Sequence, residues 1–132
     1  SQFSITCMSI INQKAALSAL KDPEVSIYAN HMKKEYERRK NLILNHIKGT
    51  WIENNINIPS GTFYILINIS KFNLSSLDFV KKIVDNYKVS FTPGIAFGQN
   101  MDSFIRLCYV CSDEDIKTAV NALININKKI CH

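Results

Sequence analysis

Apolar and polar positions along this chain follow first a helical period, then a two-residue alternation, then a helical period again, and these changes divide it into elements. Between Ile10 and Leu20 the run Gln13-Lys14-Ala15-Ala16-Leu17-Ser18-Ala19-Leu20 is rich in helix formers and predicts a short helix. Lys21-Asp22-Pro23 ends it, because proline disfavours helix in the residue before it and suits the first turn of a new one. Val25, Tyr28, Met32, Tyr36, Ile43 and Ile47 then recur at helical spacing as one stripe, predicting a second helix from about Glu24 to Lys48. Lys33, Lys34, Glu35, Glu37 and Lys40 fall largely outside the stripe, and Gly49 is placed to end the helix. At 1.5 Å per residue such a helix extends roughly 40 Å, long for so small a chain, and suggests a strut that leaves its domain.

Trp51 to Pro59 reads as a connector with a short extended piece near Ile56-Asn57-Ile58. After the Pro59-Ser60-Gly61 turn, Thr62 to Ile69 is β-branched, aromatic and almost wholly apolar, which predicts a strand covered on both faces. Ser75-Ser76-Leu77-Asp78 resembles a capping box and predicts a helix through about Tyr87. Lys88 to Phe91 and Phe104 to Val110 are the next two expected strands. Ser112-Asp113-Glu114-Asp115 opens a last helix with acidic residues at its positive end, and that helix closes on Lys128-Lys129. The expected fold is α+β: about three strands, largely antiparallel, packed with helices, plus a long N-terminal helix.

One side chain in this pattern asks for an explanation. In an extended Phe104 to Val110, Arg106 shares a face with Phe104, Cys108 and Val110, and no acidic residue lies between Ser103 and Ser112. A guanidinium among such neighbours is costly to bury unless an anion meets it, and its planar fork suits a carboxylate. The other reading is an edge-strand arginine whose stem lies on apolar surface while its head reaches water. Both stay open from the strand alone.

Composition narrows the classes. With 132 residues, 46% hydrophobic and 20% charged, the chain is sized for one ordinary globular domain, and no apolar run approaches a membrane span. A cytoplasmic location is the default expectation, with no membrane partner. Lys+Arg exceed Asp+Glu by 16 to 11, but all except Arg38, Arg39 and Arg106 are dispersed lysines in an Asn- and Ile-rich sequence. Coding bias accounts for the excess more simply than nucleic acid does, and no nucleic-acid partner is expected. Cys7, Cys108, Cys111 and Cys131 form no framework, and Cys108 and Cys111 point to opposite faces of a strand, so they are read as small buried hydrophobes. His31, His46 and His132 lie in no nucleophile motif and at no metal-ligand spacing, and there is no P-loop, dinucleotide motif or HExxH. The residues alone describe a binding unit without a reaction centre and without a metal.

Four blocks, in order, carry a resemblance. Thr6-Cys7-Met8-Ser9-Ile10-Ile11-Asn12-Gln13-Lys14-Ala15-Ala16 resembles the segment opening the last third of the class I/II aminotransferases, the pyridoxal-phosphate enzymes of the aspartate aminotransferase fold. Tyr36-Glu37-Arg38-Arg39-Lys40 is similar to that family's motif on the helix leading into its small domain. Pro59-Ser60-Gly61-Thr62-Phe63-Tyr64 resembles its strand entry, and Thr92-Pro93-Gly94-Ile95-Ala96-Phe97-Gly98 followed by Ile105-Arg106-Leu107 resembles its Pro-Gly loop and arginine strand.

The resemblance implies the small C-terminal domain of a fold-type I enzyme that moves amino groups between amino acids and 2-oxo acids. Residues 1–23 would end the large-domain or interface segment, 24–50 would be the connecting helix, and 51–132 the small α/β domain. Arg106 would bind the substrate's α-carboxylate, with Phe63 and Tyr64 on the substrate side. No residue here would be catalytic or hold the cofactor, because the lysine that binds pyridoxal phosphate lies upstream in the family, in a large domain that would be this chain's partner. No cofactor is therefore expected on this chain alone, and it is expected to be inactive. Apolar surface facing that domain would favour self-association, as in a dimer. The chain lacks the glycine usual between Gln99 and Ser103, and Cys108 stands where a serine is common. The alternative is a non-catalytic binding module descended from such an enzyme.

Overall fold

A computed structural model describes residues 9–130; Thr6, Cys7, Met8, Cys131 and His132, all named above, lie outside the described residues. The described residues divide into two compact units, one up to Glu35 and the other from Tyr36 on. Helix α1 spans Ile10–Lys21 and helix α2 spans Pro23–His46, so the proline break falls where the sequence places it. The stripe on α2 is not uniform. Val25, Tyr28 and Met32 are exposed, whereas Ile43 and the following Ile47 are buried.

The second unit holds a four-stranded antiparallel sheet of order β1-β2-β4-β3, made of Ile56–Asn57 (β1), Tyr64–Asn68 (β2), Thr92–Pro93 (β3) and Phe104–Cys108 (β4). Three strands were expected; the fourth is β1, the short extended piece, which pairs Ile56 with Ile67 and Asn57 with Leu66. Helix α3 spans Ser76–Tyr87, and Ser75 caps it by accepting the Asp78 N–H at 3.1 Å. Helix α4 spans Asp113–Ile130, where Ser112 accepts the Asp115 N–H in the same way. A serine to aspartate spacing of three thus starts both helices.

Two expectations need correction. The strand expected over 88–91 does not form: Lys88 takes a left-handed conformation, φ 57°, its N–H bonding to the Val84 carbonyl to close α3. Pairing begins only at Thr92, opposite Arg106. Nor is β2 covered on both faces. Ile65 and Ile67 are buried while Tyr64, Leu66 and Asn68 are half-buried. The buried face joins one core with Ile105, Leu107, Phe79, Ile83, Ile116, Val120, Leu123 and Ile126. Trp51 is fixed beside that core by an N–H bond to the Leu123 carbonyl at 2.9 Å and an edge contact with Phe72.

Candidate functional site

Alternation along β4 turns Ile105 and Leu107 into the core and leaves Arg106 on the half-covered face, with Leu66 of β2 on one side and Thr92 of β3 on the other. The guanidinium carbon lies 4.1 Å from the centre of the Tyr64 ring and 4.6 Å from that of Phe97. Cation–π attraction of about 0.5–2 kcal/mol per ring offsets part of the desolvation of the charge. The hydrogen bonding is sparse. Nη2 donates to the Thr92 hydroxyl at a long 3.4 Å, and Nε is buried with no acceptor. Among the described residues no carboxylate forms an ion pair with it.

Arg106, Tyr64 and Phe97 border a cleft of about 380 Å³, whose walls also include Ile58, Leu66 and Met101. Of the residues singled out in the sequence, Arg106 and Tyr64 come together here. Phe63 is not among the cleft walls; its ring packs 4.3 Å from Tyr64 and 5.9 Å from Tyr36. Thr62, at the rim, has φ 68°, a left-handed conformation unusual for a β-branched residue. Its carbonyl accepts the hydroxyl of the buried Tyr109 at 2.7 Å, and Tyr109 N–H donates to the Phe63 carbonyl. The strained corner is thereby tied down at two points. Burial pushes the Tyr109 hydroxyl above its ordinary pKa, so it stays a donor.

The Phe97 loop has its own anchor. Gly94–Phe97 and Gln99–Met101 are single 3₁₀ turns, and Ser76, wholly buried, sits beneath them. The Ser76 hydroxyl donates to Asp102 Oδ1 at 2.6 Å and accepts the Ile95 N–H at 3.1 Å, while Ser76 N–H donates to the same Oδ1 at 2.9 Å. These bonds from Ser76 hold the Asp102 carboxyl below the ordinary carboxylate range. A depressed carboxylate contributes stability that is complete above its unfolded pKa and is lost as pH falls through the folded value. Carbon-13 titration of the side chain should give a midpoint below that of a free aspartate, and Ser76→Ala should bring it back towards that value. An unchanged midpoint in the variant would refute the anchor. Nothing in the residue spacing announces this pair, since Ser76 and Asp102 stand apart in sequence and meet only through the fold.

Other sequence candidates lie elsewhere. Arg38 donates to both oxygens of Asp113 at 2.9 and 2.7 Å, tying α2 to the start of α4, and that partner lowers the Asp113 pKa. Arg39 donates to the Tyr109 carbonyl at 3.3 Å. His46 pairs with Asn121 at 2.9 Å. The cysteine expectation fails in part: Cys108, the last residue of β4 and opposite Tyr64, is exposed, and Cys111 is half-buried. Burial raises the Cys111 thiol pKa, which keeps it protonated and weakly nucleophilic. Among the described residues no cluster could hold a metal ion, and no helix is long and apolar enough to cross a membrane. The cleft walls contain no lysine and no carboxylate, so they do not fit the attachment or ring contacts of an imine-forming cofactor.

No family model matches the chain. It is 33% identical over 125 residues to a probable aspartate aminotransferase of Methanocaldococcus jannaschii, covering 95% of this chain and 32% of that protein. It is 32% identical over 130 residues to aromatic-amino-acid aminotransferase 2 of Thermococcus litoralis, covering 96% of this chain and 32% of the relative. Among solved structures it superposes on the aromatic aminotransferase of Pyrococcus horikoshii with a TM-score of 0.82 at 28% identity, over 97% of this chain and 34% of that one. An aminotransferase from Mycobacterium tuberculosis gives a TM-score of 0.81 at 26% identity, over 97% and 33%. The chain spans about a third of the length of the relatives it matches.

Proposed function

This chain belongs to the C-terminal part of the class I/II aminotransferases, and on that premise we propose that it supplies the substrate-carboxylate site of a pyridoxal-phosphate aminotransferase. Arg106 holds the α-carboxylate of an amino acid or 2-oxo acid, and Tyr64 and Phe97 hold Arg106. One observation carries the reading: a half-buried guanidinium braced by two aromatic rings at a cleft, with an unsatisfied Nε and no carboxylate partner among the described residues. Such a cation is destabilising in isolation and becomes useful when an external anion arrives. Its contribution is orientation, fixing the substrate for chemistry done by other groups. Tyr64 carries the guanidinium directly, and Phe63 supports Tyr64 from outside the cleft.

Pyridoxal phosphate supplies amino-group chemistry in the complete enzyme. The lysine that binds it, and the rest of the large domain, belong to polypeptide outside these residues. Residues 1–23 would be the large-domain or interface segment, 24–50 the connecting helix and 51–132 the small domain. The exposed Ile10, Ile11, Ile27 and Tyr28 fit a surface that is covered in the assembled enzyme, which would be a cytoplasmic homo-oligomer. The test is direct. The 132-residue chain incubated with pyridoxal phosphate, an amino acid and a 2-oxo acid should yield no amino-group transfer. Turnover by this chain alone would overturn the division of labour.

A further inference from the structure

The cleft beside Arg106 has one cation and an otherwise uncharged lining. Ile58, Leu66, Phe97 and Met101 present hydrocarbon, aromatic ring and thioether, and the polar neighbours Asn57 and Thr62 carry no charge. We propose that the walls this chain supplies select monocarboxylates with an apolar, preferably aromatic, side chain over dicarboxylates. The inference rests on the carboxylate reading of Arg106 and adds the identity of the rest of the ligand.

The physical argument compares what each ligand end would meet. One carboxylate of either ligand takes the terminal Nη donors of Arg106, which make only the long bond to Thr92. The second carboxylate of a dicarboxylate would leave water for a wall that offers no cation, and uncompensated desolvation is the costliest event in such a site. An aromatic side chain on the same ligand removes its own apolar surface, and that of Leu66, Met101 and Ile58, from water. Register supports the assignment. Leu66 stands directly opposite Arg106 across β2 and β4, so a carboxylate on the guanidinium brings the ligand's next atoms onto the leucine. A cleft of about 380 Å³ is within the usual range for small-molecule sites.

The test titrates the full chain with 3-phenylpropionate and with glutarate, following backbone and arginine Nε–H resonances by NMR. The expected result is at least tenfold tighter binding of 3-phenylpropionate, with both ligands weakened in Arg106→Gln. Met101→Lys, which places a second cation on the wall, should narrow or reverse the preference. Glutarate binding as tightly as 3-phenylpropionate, yet lost in Arg106→Gln, would overturn the selectivity and leave the carboxylate role standing. Binding of both probes unaffected by Arg106→Gln would overturn that role as well, and so would absence of binding by either. Resonances of the buried Ile105 and Leu107 report whether each variant is folded, and Arg106→Lys provides a second variant that keeps the charge.

Discussion

Arg106→Gln is expected to weaken carboxylate binding by about 2–5 kcal/mol, roughly thirty-fold or more, without lowering the melting temperature. The two halves of this result have one cause. Within the protein the guanidinium has an unsatisfied buried Nε and only a 3.4 Å bond from Nη2 to Thr92. Removing a charge that the fold does not neutralise relieves desolvation, so stability should hold or rise. Loss of the Tyr64 and Phe97 contacts works against that gain, but each is a modest attraction on a half-exposed face. An arginine with a structural role would show the opposite pattern, losing stability with little effect on ligand. Thermal denaturation and ligand titration of the same variant separate the two.

Gly94→Ala carries the largest stability effect expected. A Cβ at this position would collide with the carbonyl oxygen of Met101 and stand 2.5 Å from that of Phe104. Both obstacles are backbone, and neither can rotate away. Phe104 belongs to β4 and Met101 to the turn anchored through Asp102 and Ser76, so the methyl group would have to push a strand and a tethered loop apart. Overpacking of this kind costs about 3 kcal/mol, which for a domain near a hundred residues lowers the melting temperature by roughly 10–20 °C. The same displacement would lift Phe97 from Arg106, so ligand affinity should fall with stability. A variant as stable as the parent would show that the loop is not held against β4 as described.

Much of the fold was legible because its signals are local. The Ser75 and Ser112 caps, the Pro23 break and the alternation that sets Arg106 apart from Ile105 and Leu107 all depend on neighbours within a turn or a strand. What escaped depends on distant partners or on backbone conformation. Lys88 ends α3 in a left-handed conformation that no β-propensity of Val89 and Phe91 could override, and this moved the strand to Thr92. The two residues of β1 count as a strand only because Ile67 and Leu66 lie opposite. Tyr64 could be placed near Arg106 from family resemblance, whereas the Phe97 contact comes from a loop whose course is fixed by Gly94, Ser76 and Asp102 together. The stripe on α2 was read as continuous, yet its first half is exposed; periodicity reports which residues share a face and not whether that face is covered.

The central claim is that Arg106 meets a carboxylate brought from outside the domain, and a crystal structure of the protein with a bound 2-oxo acid tests it most directly. The account predicts carboxylate oxygens about 2.8 Å from the Arg106 guanidinium nitrogens, with the Tyr64 and Phe97 rings still against it. A guanidinium paired instead with an aspartate or glutamate of the protein itself, and a ligand bound elsewhere, would contradict it.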